Sequence, residues 1–256
     1  MIELTNLSYA AGGTPILRDV NAILPRGGIT ALIGANGAGK STLLHCMAGL
    51  NRPGAGAVGI DGEDPFAMED RARARRVALL QQSPSIVARL SVADLVGFGR
   101  WPHHGGREGA EDRAIVAEAL AAFELDDLAG RALDTLSGGQ RQRALVAMVW
   151  AQSAPWLLLD EPLNALDPRH AHDLMARLHA LSRPGRAGQT GRSVVLVVHD
   201  INAAARWADH VVALRDGRVH AAGPCDAVLT PDRLQEVFGL RFDVVRHAGR
   251  PVVIPG

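Results

Sequence analysis

Lysine is nearly absent from this chain of 256 residues: of its 27 basic side chains all but Lys40 are arginine. A drift toward arginine accounts for the majority and leaves position 40 to be explained. Lysine ends in a compact charge on a flexible stem, arginine in a bulky planar fork. A narrow backbone loop around a phosphate admits only the first. Cysteine is as scarce. Cys46 and Cys225 make neither a disulfide framework nor a ligand cluster, so a reducing compartment is expected. An excess of charge is missing too. With 27 basic and 27 acidic residues the formal net charge is zero, which argues against nucleic acid as a partner, because such proteins carry a basic stripe. No apolar run approaches the roughly 20 residues that cross a bilayer, SVVLVV being among the longest. The opening MIELTNLSYA lacks the basic-then-apolar order of a secretion signal. If the protein works at a membrane, another chain is expected to cross it.

What is present is the composition of a globular protein, 47% hydrophobic and 21% charged, without an internal repeat. Residues 1–24 alternate apolar and polar around AGGT, predicting two strands joined by a turn. ITALIG (29–34) reads as a strand and STLLHCMAGL (41–50) as a helix. GAGAVGIDGEDP reads as a hairpin and RRVALLQQ as a further strand. From about Pro84 to Met148 the chain turns Ala- and Leu-rich, as in EDRAIVAEALAAFEL, which predicts an inserted helical region. Strand patterns return in WLLLDEP, SVVLVVHD and HVVALRDGRV, with DPRHAHDLMARLHAL a helix between the first two. Strands separated by helices imply a parallel sheet covered on both faces. SRPGRAGQTGRS (182–193) reads as a surface loop, and the tail from Thr230 as a short helix and a strand.

Two stretches carry chemistry. GANGAGKS fits G-x-x-x-x-G-K-[ST] between a predicted strand and a predicted helix. Gly34, Gly37 and Gly39 let backbone N–H groups turn inward on the β- and γ-phosphates of a nucleotide, and the helix adds its positive dipole end. Lys40 is then placed to neutralise those oxygens and Ser41 to ligate Mg²⁺; Ala35, Asn36, Ala38 and Thr42 complete the cradle. WLLLDEP delivers an acid at the end of an apolar strand. Asp160 is expected to hold Mg²⁺ through water, and Glu161 to orient or deprotonate an attacking water. VVLVVHD repeats the pattern with His199, a candidate γ-phosphate contact.

LSGGQRQR (136–143) ahead of LLLDEP resembles the signature of ATP-binding cassette (ABC) ATPases. The order of motifs resembles that family over most of the chain: Tyr9, the loop 34–41, Gln81, the signature 136–140, Asp160-Glu161, NALD (164–167), His199. The resemblance implies a P-loop NTPase (RecA-like) α/β core with an N-terminal antiparallel β subdomain and an inserted α-helical subdomain. One ABC domain would then span 1–256, with 1–83 and 150–225 as core, 84–149 as helical signature subdomain and 226–256 as a short C-terminal extension. It further implies ATP and Mg²⁺ as ligands. Tyr9 would stack on adenine, and Gln81 would sense Mg²⁺ and the attacking water, with Gln82 beside it leaving that register open by one. Ser137, Gly138, Gly139 and Gln140 would hold the γ-phosphate bound by a second copy, Asp167 would lie at the seam, and the partner would be the chain itself in a head-to-tail homodimer. Asn164 stands where many relatives have Ser or Thr.

Within that family three classes compete: a transporter's detached ATPase, a DNA-repair ATPase and a translation factor. The chain has neither the heptads or Cys pairs of the second nor the paired cassettes of the third. ARLSVADLVGFGRWPHHG (88–105) resembles the ATPases of ferric-siderophore, haem and cobalamin importers, and SVADLVGFGRWP is nearest the siderophore members. That resemblance implies a polytopic permease docked on Trp101, His103 and His104. It also implies a periplasmic or lipid-anchored binding protein as indirect partner, and a peripheral position on the cytoplasmic face of the inner membrane. His170 and His172 lie two apart on a helix, about 200° around its axis, so joint metal ligation is not expected.

Overall fold

The structure, a computed structural model, describes residues 1–82, 90–164, 166–183 and 191–256. Its frame is a six-stranded sheet. In chain order the N-terminal elements are β1 (Ile2–Ala11), β2 (Thr14–Leu24), β3 (Ile29–Gly34), α1 (Lys40–Met47), β4 (Ala55–Ile60), α2 (Asp70–Arg76) and β5 (Val77–Leu80). A helical block follows: α3 (Val92–Phe98), α4 (Trp101–His104), α5 (Ala110–Ala122) and α6 (Gly138–Ala151). The chain then returns through β6 (Trp156–Leu159), α7 (Pro168–Leu181), β7 (Ser193–Val197), α8 (Ile201–Trp207), β8 (His210–Arg215) and β9 (Arg218–Pro224). It closes with α9 (Cys225–Val228), α10 (Pro231–Phe238), β10 (Phe242–His247) and β11 (Arg250–Pro255).

The main sheet runs β5-β6-β7-β3-β8-β9, parallel except for β9, and β2-β1-β4 forms a separate antiparallel sheet. Side chains of a strand point alternately to opposite faces, and the buried strands divide accordingly. Ala31, Ile33, Leu157, Leu159, Val194, Leu196, Val211 and Ala213 face a core shared with the helical block. Leu32, Trp156, Leu158, Val195, Val197, Val212 and Leu214 face a second core under α1 and the N-terminal sheet. Both faces are covered, which is why these strands are apolar throughout rather than alternating. This is the α/β arrangement expected from the sequence, with an antiparallel N-terminal sheet and a helical block between β5 and β6.

Three local readings need correction. GAGAVGIDGEDP is not a hairpin: Ala55–Ile60 pairs instead with β1, Ile2 opposite Ile60, and beyond the turn only an isolated bridge from Ile60 to Glu63 forms. Pro65 follows at once and has no N–H to continue a ladder. RRVALLQQ is strand only over Val77–Leu80; Arg75 and Arg76 are the end of α2. The C-terminal tail has two strands rather than one; a two-residue turn at Ala248-Gly249, both at positive φ (50° and 78°), pairs His247 with Arg250. Of the subdomain limits, 149/150 falls inside α6, which runs on to Ala151, and 225/226 falls inside α9. The 83/84 limit and most of the 182–193 loop lie outside the described residues.

Candidate functional site

Parallel strands end on one edge of a sheet, so the loops after β3, β5, β6 and β7 meet there. β3 ends at Gly34, whose φ of 146° and close approach to the carbonyl of Leu214 leave no room for a Cβ, which would lie 2.2 Å from that oxygen. Gly39 caps α1 at φ 97°, and there a Cβ would fall 2.7 Å from Leu17 Cδ2. The amides of Lys40, Ser41 and Thr42 open the helix without intrahelical acceptors and face any anion held by the loop.

Lys40 is buried, and its Nζ donates to the carbonyls of Gly34 (2.9 Å) and Ala35 (3.0 Å). Burial pulls its pKa below the ordinary lysine value, against the opposing fields of Glu161 and Asp160. Ser41 donates through Oγ to Asp160 Oδ1 at 2.9 Å. Asp160, at the end of β6, is 3% exposed, and burial raises its pKa although the Ser41 hydrogen bond and His45 oppose this. A hydroxyl and a carboxylate meeting beside a phosphate-shaped loop form a hard oxygen donor set, which suits Mg²⁺. The residues present therefore fit such an ion.

Glu161 follows with φ 50°, a left-handed conformation uncommon for a side chain of this size. His199 Nε2, beyond β7, lies 2.7 Å from its Oε1. Gln82, beyond β5, donates to Oε2 at 2.5 Å, and Asn164 donates to the same oxygen. Lys40, Ser41, Gln82, Glu161 and His199 line one cleft of about 590 Å³, together with Ile16, Asn36, Gly37, Gly39 and Thr42.

Of the two adjacent glutamines, the one in the cleft is Gln82. Gln81 turns to a different hollow, lined by Ala48, Leu50, Ala74 and Met148. The expectation for Gln81 is corrected by one residue: successive side chains at a strand end point to opposite faces. Tyr9 does not line the cleft; it sits on β1 opposite Leu17, half-buried against the second core, and Ile16 forms the cleft wall on that side. Ile16 and His45 gave no sequence signal as site residues, although His45 stands one helical turn after Ser41.

The signature lies elsewhere. Ser137 caps α6, its Oγ accepting from Gln140 N at 3.2 Å while Gln140 Oε1 accepts from Ser137 N at 3.1 Å. Ser137 and Gly138 are exposed, and none of residues 137–140 lines the Lys40 cleft. A Cβ on Gly139 would sit 3.3 Å from His170, so the head of α6 abuts the head of α7. There Asp167 accepts from His170 N at 2.9 Å and contacts Nδ1 at 2.6 Å, contacts that hold its carboxyl below the usual range. His172 instead meets the edge of Trp207 at 5.3 Å, so the two histidines do not converge.

A family model described as ABC transporter matches residues 17–164. A petrobactin import ATP-binding protein of Bacillus subtilis is 38% identical over 95% of this chain and 95% of its own length. A hemin import ATP-binding protein of Bordetella pertussis is 43% identical over 98% of this chain and 96% of its own. Among solved structures, an ATP-binding cassette seen as a dimer in a post-hydrolysis state with ADP and phosphate superposes with a TM-score of 0.76. It is 29% identical and covers 88% of this chain and 99% of that one.

Proposed function

The chain belongs to the ABC transporter family, and on that premise we propose that it is the ATP-hydrolysing subunit of a bacterial importer that takes up an iron chelate, ferric siderophore first. The observation that carries the ATPase reading is the joining of Lys40, Ser41, Gln82, Glu161 and His199 around one cleft headed by a phosphate-shaped loop. The cargo reading rests on SVADLVGFGRWP and on the similarity to a petrobactin import ATPase. The 43% identity to a hemin import protein favours haem as a second reading.

The loop amides and Lys40 would bind the β- and γ-phosphates of ATP, and Lys40 would give up its two carbonyl contacts to do so. Ser41 and Asp160 would hold Mg²⁺, which when bound neutralises charge on the phosphate oxygens. Glu161 would orient the attacking water and take its proton, with His199 and Gln82 fixing the carboxylate. Tyr9 would stack on the base after rearrangement of the β1–β2 edge. Because Ser137 and Gly138 stand exposed and Ser137–Gln140 lie apart from the cleft, they would complete the site of a second copy, giving a head-to-tail homodimer. ATP would close that dimer, and phosphate release would reopen it.

Among the described residues no helix is long and apolar enough to cross a membrane. A separate polytopic permease would do so, holding this chain on the cytoplasmic face, with a substrate-binding protein beyond it. Trp101 (55% exposed) and Phe98 (50%) would receive it. His103 and His104 are less available: His103 Nε2 contacts the carbonyl of Gln152 at 2.8 Å, and His104 Nδ1 accepts from Gly106 N at 2.9 Å. The test is gentle purification of the tagged chain from its own membranes. A permease at a two-to-two ratio supports the reading, and its binding protein can then be offered ferric siderophores and haem. Ribosomes or DNA-repair proteins in its place would overturn it.

A further inference from the structure

We propose that His45 is a positioning residue that fixes the Asp160 carboxylate for a divalent cation, an inference that rests on reading the cleft as a Mg²⁺·ATP site. His45 stands one turn after Ser41 on α1, and residues four apart share a helix face. Both therefore look toward the end of β6. Ser41 takes one oxygen of Asp160, Oδ1, at 2.9 Å. His45 Nε2 faces the other, Oδ2, at 3.8 Å.

The ring is turned with its polar edge inward. The His45 side chain keeps 28% of its surface in solvent, yet Nε2 itself is buried and has no hydrogen-bond partner. A solvated helix-surface histidine would show the reverse. Buried ring nitrogens are ordinarily satisfied, and closing to hydrogen-bond distance takes a shift of about 0.8 Å. Oδ2 of Asp160, for its part, has no other hydrogen-bond donor among the described residues. With a proton on Nε2, His45 supplies it. One face of one helix thus grips both oxygens of the acid.

The consequence is specific to the cation. Groups that orient a metal-holding residue from behind typically contribute about tenfold to a hundredfold to metal affinity. The full chain is titrated with Mg²⁺ in the presence of trinitrophenyl-ATP, with EDTA samples as reference, for wild type, His45→Leu and His45→Gln. Leucine fills the space without a donor; glutamine restores one. His45→Leu should need about tenfold more Mg²⁺ for half-maximal binding, His45→Gln should stay within about twofold, and binding in EDTA should match throughout. Mn²⁺ uptake followed by electron paramagnetic resonance, with no turnover involved, should show the same ranking. If His45→Leu does not fold, His45→Asn, whose amide is too short to reach Oδ2, takes its place. Leu and Gln variants both like wild type, or both displaced equally, would overturn the role of His45 and leave the Mg²⁺·ATP site standing. Wild-type binding indifferent to Mg²⁺ would overturn both.

Discussion

Glu161 is held at both carboxylate oxygens, by His199 Nε2 at 2.7 Å on Oε1 and by Gln82 Nε2 at 2.5 Å on Oε2. These two partners follow strands that flank neither each other nor the same side of β6: β5 lies on one side of it and β7 on the other. The acid is thus clamped from both neighbours of the strand that carries it. Its left-handed backbone (φ 50°) belongs to the same arrangement. Such conformations cost about 1–3 kcal/mol and persist where the surroundings over-determine them.

Replacing that acid separates binding from turnover. Glu161→Gln keeps size and most hydrogen bonds but cannot accept a proton. Hydrolysis should fall by about 10²–10⁴ while ATP binding survives. With the cycle stalled, ATP should drive the variant to a dimer on size exclusion. Turnover like wild type would remove Glu161 as the base, and a monomer at saturating ATP and Mg²⁺ would count against the composite site.

The adjacent glutamines should behave differently. Gln82 reaches Glu161; Gln81 lines a separate hollow. Gln82→Ala should lower kcat by at least about tenfold, the loss of one hydrogen bond to a charged group, and Gln81→Ala should leave steady-state ATPase near wild type. Equal losses would show that the cleft register is not Gln82's.

Much of this arrangement was legible because its signals are local. The loop 34–41 and the Asp160-Glu161 pair sit at strand ends where apolar runs stop, and spacing alone reveals them. The glutamine register was not legible, because the parity of β5 at its last residue decides it. His45 was invisible for another reason: its partner arrives from β6, far along the chain. The supposed hairpin at 54–65 failed because pairing was won by β1, whose strand offered a full ladder where Pro65 offered none.

Lys40→Arg tests why one lysine survives. The Lys40 ammonium is buried and reaches two carbonyls of its own loop. A guanidinium is wider and rigidly planar, so it should distort the loop although the charge is kept. Nucleotide affinity should drop at least about tenfold, with circular dichroism unchanged; roughly 1.4 kcal/mol suffices for that. Retained affinity would mean that charge alone matters at position 40.

Trp101 and Phe98 are exposed aromatics on the helical block. Trp101→Ala should leave the ATPase of the isolated subunit intact while reducing co-purification of a permease. Unchanged co-purification would move the docking surface elsewhere.

A last prediction concerns the fold's acid limit. Asp61, after β4, accepts from Arg26 Nε at 2.7 Å and Nη2 at 2.6 Å, and from Trp156 Nε1 at 3.1 Å. Arg26 first, then the amino group of Met1 and Trp156, hold the carboxyl far below its usual range although partial burial pushes the other way. A carboxyl whose folded pKa is depressed binds protons more tightly in the unfolded chain. Its stabilisation is therefore complete above the unfolded value of about 4 and is lost as pH falls from there toward the folded value. Asp61→Asn should lower stability at pH 7 by about 1–3 kcal/mol, or roughly 2–4 °C in Tm per kcal/mol for a chain of this length. Because the variant has no charge to lose, the gap in Tm should narrow between pH 5 and pH 3. A gap that stays constant over that range would mean that Asp61 acts by packing, and that its ion pair with Arg26 adds nothing to the fold.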